Sequence, residues 1–342
     1  MASLTEPSFS SGKREELADL IALVDAKDTP FTSRAKKGSK PGNTLFRWQA
    51  DSLPTPKMTG TVDGTDVSSY DNYVKDGATQ YRAELSNYIQ IFRRAVRVSP
   101  LTQDISTVAG VRDELANNVA KGIQALKRDM EVTFCSNNGA QADNGTNPYL
   151  TRGLHKWLQP IATKDSVLPV IDQFCTPTAN RSTVGTAALT ESVVQNVLTG
   201  IYSQTGQYKD YDALVGTALK RAFTNLVFTT SQGSGTAPMT SIRTLNREAD
   251  ATSYISSVDV FEGDFGKLRL HPSHYLNATA GVGSTFTGYI IPFDQVEVRY
   301  GGNVAGVTAL TNNGGGEARM IEAVAGLCVY NPLAFGVFDF TA

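Results

Sequence analysis

The chain has 342 residues, a formal charge of −2 from 31 Lys and Arg against 33 Asp and Glu, and a hydrophobic fraction of 41%. The near-neutral balance gives no overall pull toward DNA or an anionic membrane, and the length allows two domains or one large elaborated one. No apolar run approaches the ~20 residues of a membrane span, and no internal repeat is present.

The start, MASLTEPSFSSGKREEL, lacks the apolar core of a signal peptide. Residues 1–12 read as a mobile arm. A short amphipathic helix follows, with Leu17, Leu20, Ile21 and Val24 on one face, ended by Thr29-Pro30. Residues 34–43, RAKKGSKPGN, read as a basic linker broken by Gly and Pro. From Thr44 the period becomes two: Phe46 and Trp48 alternate with Arg47 and Gln49. The matching run comes much later, at Tyr81, Ala83 and Leu85, and continues through Ile89, Ile91, Val96 and Val98. Between them, residues 50–79 are rich in Gly, Pro and Asp, which describes a long two-stranded ribbon with a polar, acidic tip. An isolated ribbon is marginal in water, and a thirty-residue loop does not suit a compact domain. The ribbon therefore lies either over its own domain or on another copy of the chain.

The stretch Ser106–Phe134 carries apolar residues at Val108, Val111, Leu115, Val119, Ile123, Leu126, Met130 and Phe134, one face of a helix. Ser106 or Thr107 caps it, Asn137-Asn138-Gly139 stops it, and at 1.5 Å per residue it is roughly 40 Å long. Its other face (Arg112, Asp113, Lys121, Lys127, Asp129, Glu131) mixes signs and reads as solvated or subunit-facing. A second helix has Val193, Val194, Val197, Leu198, Ile201 and Tyr202 on its face, Thr190 as N-cap and Thr205-Gly206 as its end. Ala213-Leu214-Val215 reads as a buried strand, TALKRAFTNLVF as a third helix and residues 229–240 as a flexible loop. Strands follow around Val258–Val260, Leu268–Leu270, Ile290–Ile291 and Val296–Tyr300, with a turn at Glu262-Gly263-Asp264. Residues 301–317 are Gly-rich, and the chain closes on one long apolar strand, MIEAVAGLCVYNPLAFGVF. Helices packed with strands, without βαβ alternation, give the α+β class.

The constellations of common enzymes are missing: no P-loop, no G-x-S-x-G elbow and no H-E-x-x-H. His271 and His274 flank Pro272-Ser273 and read as exposed loop histidines. Cys135, Cys175 and Cys328 have no metal spacing and fit a reducing cytoplasm. Arg93, Arg94 and Arg97 form a compact basic group, suited to ion pairs across a subunit contact, to solvating a strand face or to phosphate.

The order of parts resembles the Hong Kong 97 fold of tailed-phage major capsid proteins. NYIQIFRRAVRVSPLTQDISTVAGVRDELANNVAKGIQALKRDME resembles that family's run from extended loop into spine helix. KDTPFTSRAKKG, NTLFRWQADSLPTP, TRGLHKW, DALVGTALKRAF, GDFGKLRL and GLCVYNPLAFGV continue the match in order over nearly the whole chain. The resemblance implies an N-terminal arm (1–41), an extended β-ribbon loop (42–92), a peripheral domain with the spine helix (93–187 and 318–342) and an axial domain (188–317). It implies intersubunit contacts at Trp48, Met58, Tyr70, Tyr73, Arg93, Arg94 and Arg97, and a spine core of Val111, Leu115, Val119, Ile123, Leu126 and Met130. No catalysis and no cofactor are implied. The implied partners are many copies of the chain, as pentamers and hexamers, around double-stranded DNA that is bound without sequence specificity. A long N-terminal scaffolding segment is absent from this sequence, which leaves a separate scaffolding protein as the assembly aid, beside a portal and a decoration protein. The place implied is the virion shell, made in the host bacterial cytoplasm. The competing readings are another virion structural or adaptor protein and an α+β enzyme with a scattered site.

Overall fold

The computed structural model describes residues 28–105, 113–183, 189–228, 258–276, 288–302 and 305–339. The helix expected around Leu17–Val24, the loop at 229–240 and Val111 lie outside the described residues. In chain order the elements are α1 (Pro30–Arg34), β1 (Lys36–Gly38), β2 (Leu45–Asp51), β3 (Lys75–Asp76), β4 (Thr79–Gln80), β5 (Arg82–Tyr88) and β6 (Gln90–Val98). Then come α2 (Pro100–Ile105), α3 (Glu114–Cys135), α4 (Leu154–Trp157), β7 (Arg181–Thr183), α5 (Glu191–Thr205), β8 (Lys209–Val215) and α6 (Thr217–Phe228). The rest is β9 (Val260–Gly263), β10 (Gly266–Pro272), β11 (Gly288–Ile291), β12 (Val296–Tyr300), β13 (Gly306–Leu310), β14 (Glu317–Val329) and β15 (Gly336–Asp339).

The spine helix α3 begins later than its periodicity suggests. Asp113, in extended conformation, accepts a hydrogen bond from the Ala116 amide and starts the helix at Glu114. Its 22 residues span roughly 33 Å. Leu115, Leu126, Met130 and Phe134 are buried, and Val119 and Ile123 pack half-buried against the same core. The stripe meets one face of a five-stranded sheet, in which β14 pairs with β6 on one side and with β12 and β13 on the other. At the middle of the contact sits Gly122, where an added Cβ would lie 2.4 Å from Ile321 Cδ1. A glycine inside a helix costs about 1 kcal/mol relative to alanine, and here it lets helix and sheet approach.

A six-stranded sheet, β7-β15-β11-β8-β10-β9, is buried on both faces at its centre. Ala213, Val215, Ile290 and Phe338 face α5 and α6, while Leu214, Tyr289, Ile291 and Val337 join the core around the spine. α5 has the ends its sequence announces: Thr190 Oγ1 accepts from the Val193 amide, and Gly206 closes it at φ 63°.

Tertiary pairing overrules local pattern in several places. Thr29-Pro30 starts a helix instead of ending one, since proline at the first helical position sacrifices no hydrogen bond. Part of the expected linker is β1, which runs parallel to β12. The Gly-rich 301–317 contains β13, paired to β14. The closing apolar run is two strands in different sheets, broken where Asn331 and Pro332 start a short 3-10 turn. Pairing also crosses the expected domain boundaries. β12 and β13 join the spine's sheet, while β7 and β15 join the six-stranded one.

Leu126 is fully buried, so Leu126→Ala should cost about 2–5 kcal/mol. Ile123→Ala, at a half-buried position, should cost less. Urea melts of the two variants check the order.

Candidate assembly surfaces

The ribbon divides into a stalk and a tip. In the stalk, β2 and β5 pair antiparallel with Trp48 opposite Leu85, and alternation puts Phe46, Trp48, Ala83 and Leu85 on one buried face. The Trp48 indole donates to the Val329 carbonyl at 3.1 Å and lies 5.5 Å from the Trp157 ring. Phe46 stacks on Trp48 and rests on Gly326 of β14, where a Cβ would come within 2.5 Å of the ring. Trp48, expected at a subunit contact, is therefore a core residue of its own subunit, placed there by the side of the strand that meets β14.

The tip is the opposite case. Residues 52–74 hold no helix or strand, and Met58 is 100% exposed, Tyr70 86% and Tyr73 62%. Leu53, Val62 and Val67 are exposed beside them. Its internal ties are thin: Lys57 pairs with Asp71 at 2.5 Å, and Asn72 Oδ1 accepts from the Val74 and Lys75 amides. These apolar groups meet no covering surface among the described residues.

The arginines are placed by β6, whose side chains alternate between the spine and the far face of the sheet. Arg94 points to α3 and makes a two-bond pair with Asp129 at 2.7 and 2.6 Å. Arg93 points away and pairs with Glu322 of β14 at 2.7 and 2.5 Å. Arg97, also on the far face, is exposed and makes no ion pair among the described residues. Two of the three charges are thus neutralised within the chain, which removes the basis for a phosphate cluster.

Several polar residues that the sequence left on the surface, or passed over, hold the fold from inside. Glu131 is fully buried, and its carboxylate accepts from the Phe31 and Thr32 amides, each at 2.8 Å, and from the Thr32 hydroxyl. It closes the N-terminus of α1 and pins it to the spine; burial raises its pKa against the pull of those donors. The signal in the sequence was an acid in the last turn of a helix, where the dipole disfavours it. Asn87 donates to the Leu327 carbonyl and accepts from the Arg152 amide, tying stalk to β14. Arg152, buried, bonds Asp165 at 3.1 Å and lies 4.0 Å over Trp157; burial lowers it to about 10.

The chemistry available is structural. Among the described residues no three His, Cys, Asp or Glu side chains gather as metal ligands. Burial pushes the Cys135 thiol well up and the Cys328 thiol to about 12, so neither is a thiolate nucleophile at neutral pH. His271 is not a loop residue: it lies in β10, with Nε2 2.7 Å from Asp212 Oδ1, which Arg34 of α1 also bonds at 3.2 Å. His155 is buried where the spine's C-terminal end meets the six-stranded sheet. Tyr289 donates its hydroxyl proton to the Cys135 carbonyl at 3.0 Å, so His155 Nδ1, 3.2 Å away, carries a proton and donates to the tyrosine oxygen. Burial holds His155 down to about 4.

A sheet-packed spine helix, a second sheet backed by two helices, and a ribbon whose tip has nothing to fold on define an α+β capsid subunit of the Hong Kong 97 type. The same fold is found in the cyanophage A-1(L) capsid asymmetric unit (TM-score 0.64, 11% identity, 98% of this chain and 99% of that one). It recurs in the capsid structure of cyanophage P-SCSP1u (0.59, 11%, 96% and 93%) and in a chain from Mycobacterium phage Bobi (0.57, 12%, 100% of both). The family is shown by sequence: the model of the SU10 major capsid protein matches residues 4–341, and the chain belongs to that family. The major capsid protein of Escherichia phage Phieco32 is 33% identical over 141 residues, 41% of this chain. That match spans 38% of the relative's length. The chain is a structural phage protein of the virion, not an enzyme.

The pKa of His155 is lowered to about 4 from an ordinary 6.5. The stability tied to its neutral form is complete above pH 6.5 and is lost as pH falls through 4. Between pH 7.5 and 4.5 the loss should be roughly 2–3 kcal/mol. Urea melts at the two pH values check this, and His155→Gln should flatten the difference by about that amount.

Proposed function

We propose that copies of this chain close as pentamers and hexamers into the icosahedral head that encloses the phage's double-stranded DNA. The observation that carries this reading is the ribbon tip, whose apolar side chains stand in solvent while the stalk is locked into the subunit's core. A rigid stalk with a bare tip is built to be covered by another copy, and shells multiply one such contact by symmetry. In this reading 1–41 is the arm, although α1 and β1 already belong to the body, and 42–92 is the extended loop. The spine's sheet is the peripheral domain and the six-stranded sheet the axial domain, with β12 and β13 assigned to the former and β7 and β15 to the latter. Met58, Tyr70 and Tyr73 make the contact between subunits, and Arg93 and Arg94 hold the loop's base at a fixed angle.

The charge supports an enclosing role without sequence reading, since the chain is at −2 and Arg93 and Arg94 are internally paired. A separate scaffolding protein, a portal and a decoration protein are the further partners, and the chain is made in the host bacterial cytoplasm before it enters the virion.

Replacing residues 55–78 with a short Gly-Ser turn should leave a folded subunit with a cooperative melt near the parent's. Sedimentation and electron microscopy should then find no closed shells, with the scaffolding protein supplied. Normal particles from the shortened chain would overturn the reading of 42–92, and an unfolded subunit would place the tip in its own core.

A further inference from the structure

Three Asn-Gly pairs occur in the chain, at Asn138-Gly139, Asn144-Gly145 and Asn313-Gly314. In such a pair the glycine amide can approach the preceding side chain without a Cβ in the way. The three are held differently. Asn144-Gly145 lies in a loop closed by paired backbone bonds between Gln141 and Leu150, at 3.1 and 3.0 Å, and by Gln141 Nε2 on the Pro148 carbonyl at 3.1 Å. Residues 142–148 are exposed, Gly145 stands at φ 84°, and nothing lies within 4 Å of where its Cβ would be. The Gly145 amide donates to Asp143 Oδ1 at 2.7 Å. Asn144 Oδ1 accepts from the Thr146 amide at 3.1 Å and from the Asn147 amide at 2.7 Å. At Asn313-Gly314 the glycine amide donates to Asn312 Oδ1, a side-chain amide in place of the carboxylate. Among the described residues no donor reaches the side-chain carbonyl of Asn138 or Asn313.

We propose that Asn144 is a self-modification site, converted by its own loop to aspartate and isoaspartate through a cyclic imide. The groups this chemistry needs are in hydrogen-bond contact with the atoms they serve. The Gly145 nitrogen attacks Asn144 Cγ as its proton passes to the Asp143 carboxylate, and the carbonyl electron pair moves onto Oδ1. The Thr146 and Asn147 amides, which point at that atom, hold the oxyanion. When it collapses, the Cγ–Nδ2 bond breaks, Asp143 gives the proton to the leaving nitrogen, and ammonia departs. Solvent water then opens the imide, and the exposure of residues 142–148 gives it access. Breaking the bond from Cγ to the Gly145 nitrogen leaves aspartate. Breaking the bond from the Asn144 backbone carbonyl carbon to that nitrogen leaves isoaspartate. One water enters and one ammonia leaves, nothing is oxidised or reduced, and Asp143 ends as it began. Each converted copy gains a negative charge beside Asp143, and isoaspartate routes the backbone through Cγ, which adds one carbon to the turn. The change is irreversible, so copies carry it according to their age.

The test follows the full chain at neutral pH, folded and in urea, by peptide mapping in a mass spectrometer, with isoaspartate scored by methyltransferase labelling. In the folded chain Asn144 should convert at least roughly tenfold faster than Asn313, a modest demand beside the ~10²–10⁴ that a placed general base supplies. In urea, where the loop's hydrogen bonds are gone, the three Asn-Gly pairs should convert at similar rates. Asp143→Asn recreates the Asn-Asn-Gly of residues 312–314 and should slow Asn144 to the rate of Asn313 while the subunit's melt stays at the parent's. Asn312→Asp, made in the other loop, supplies the base there and should raise the rate at Asn313. An Asn144 rate no higher in the folded chain than in urea would overturn the proposal. So would an unchanged rate in Asp143→Asn, or no rise at Asn313 in Asn312→Asp.

Discussion

The fold depends on how closely the spine helix approaches the sheet beneath it. Gly122 sits against Ile321, and a Cβ at 122 would lie 2.4 Å from Ile321 Cδ1, so either that side chain repacks or the helix withdraws from β14. That separation sets the packing of Leu115, Leu126, Met130 and Phe134, and through Phe134 the rings of Phe31 and Phe92. Because β14 pairs with β6, β12 and β13, a shift at this contact would be passed to every strand of the sheet. Close-packed interiors carry such shifts instead of absorbing them.

Buried polar groups then fix parts of the chain that apolar packing alone would leave free to slide. Glu131 holds α1 through three donors, Asn87 joins the stalk to β14 and to Arg152, and Asn180 Nδ2 donates to the carbonyls of Leu333 and Phe335 before β15. Sliding any of these segments would break hydrogen bonds in a buried setting, where a lost partner is expensive; Asn180 Oδ1 is itself buried without a partner among the described residues. These ties join segments far apart in sequence. They make a subunit body that can hold a fixed shape while its contacts to neighbours supply the assembly energy.

The ribbon is built partly into that body. One strand pair, β2 and β5, is both part of the core and the lever that carries the tip away from it. The stalk's register and the continuation of β5 into β6 set the lever's direction. No side chain of residues 52–74 joins the buried clusters of the described residues. The packing that holds the subunit together is thereby kept separate from the exposed tip.

The sequence by itself determined the parts whose signal is local. The period of two around Phe46 and Trp48, the period of 3.6 along the spine, and the Thr190 and Gly206 ends of α5 all follow from side-chain spacing and cap chemistry. So did the bareness of the tip, which has too few apolar residues to fold on. What only the tertiary structure decided are the outcomes set by distant partners. Trp48 turned inward because β14 and Trp157 lie on its side of the ribbon. Lys36–Gly38 became a strand because β12 offered an edge. Glu131 is buried because the first turn of α1 brings it two amides and a hydroxyl. The closing run split between two sheets because a proline interrupted its ladder. Periodicity states which side of an element is apolar; the surface that meets that side is supplied by residues that can be hundreds of positions away.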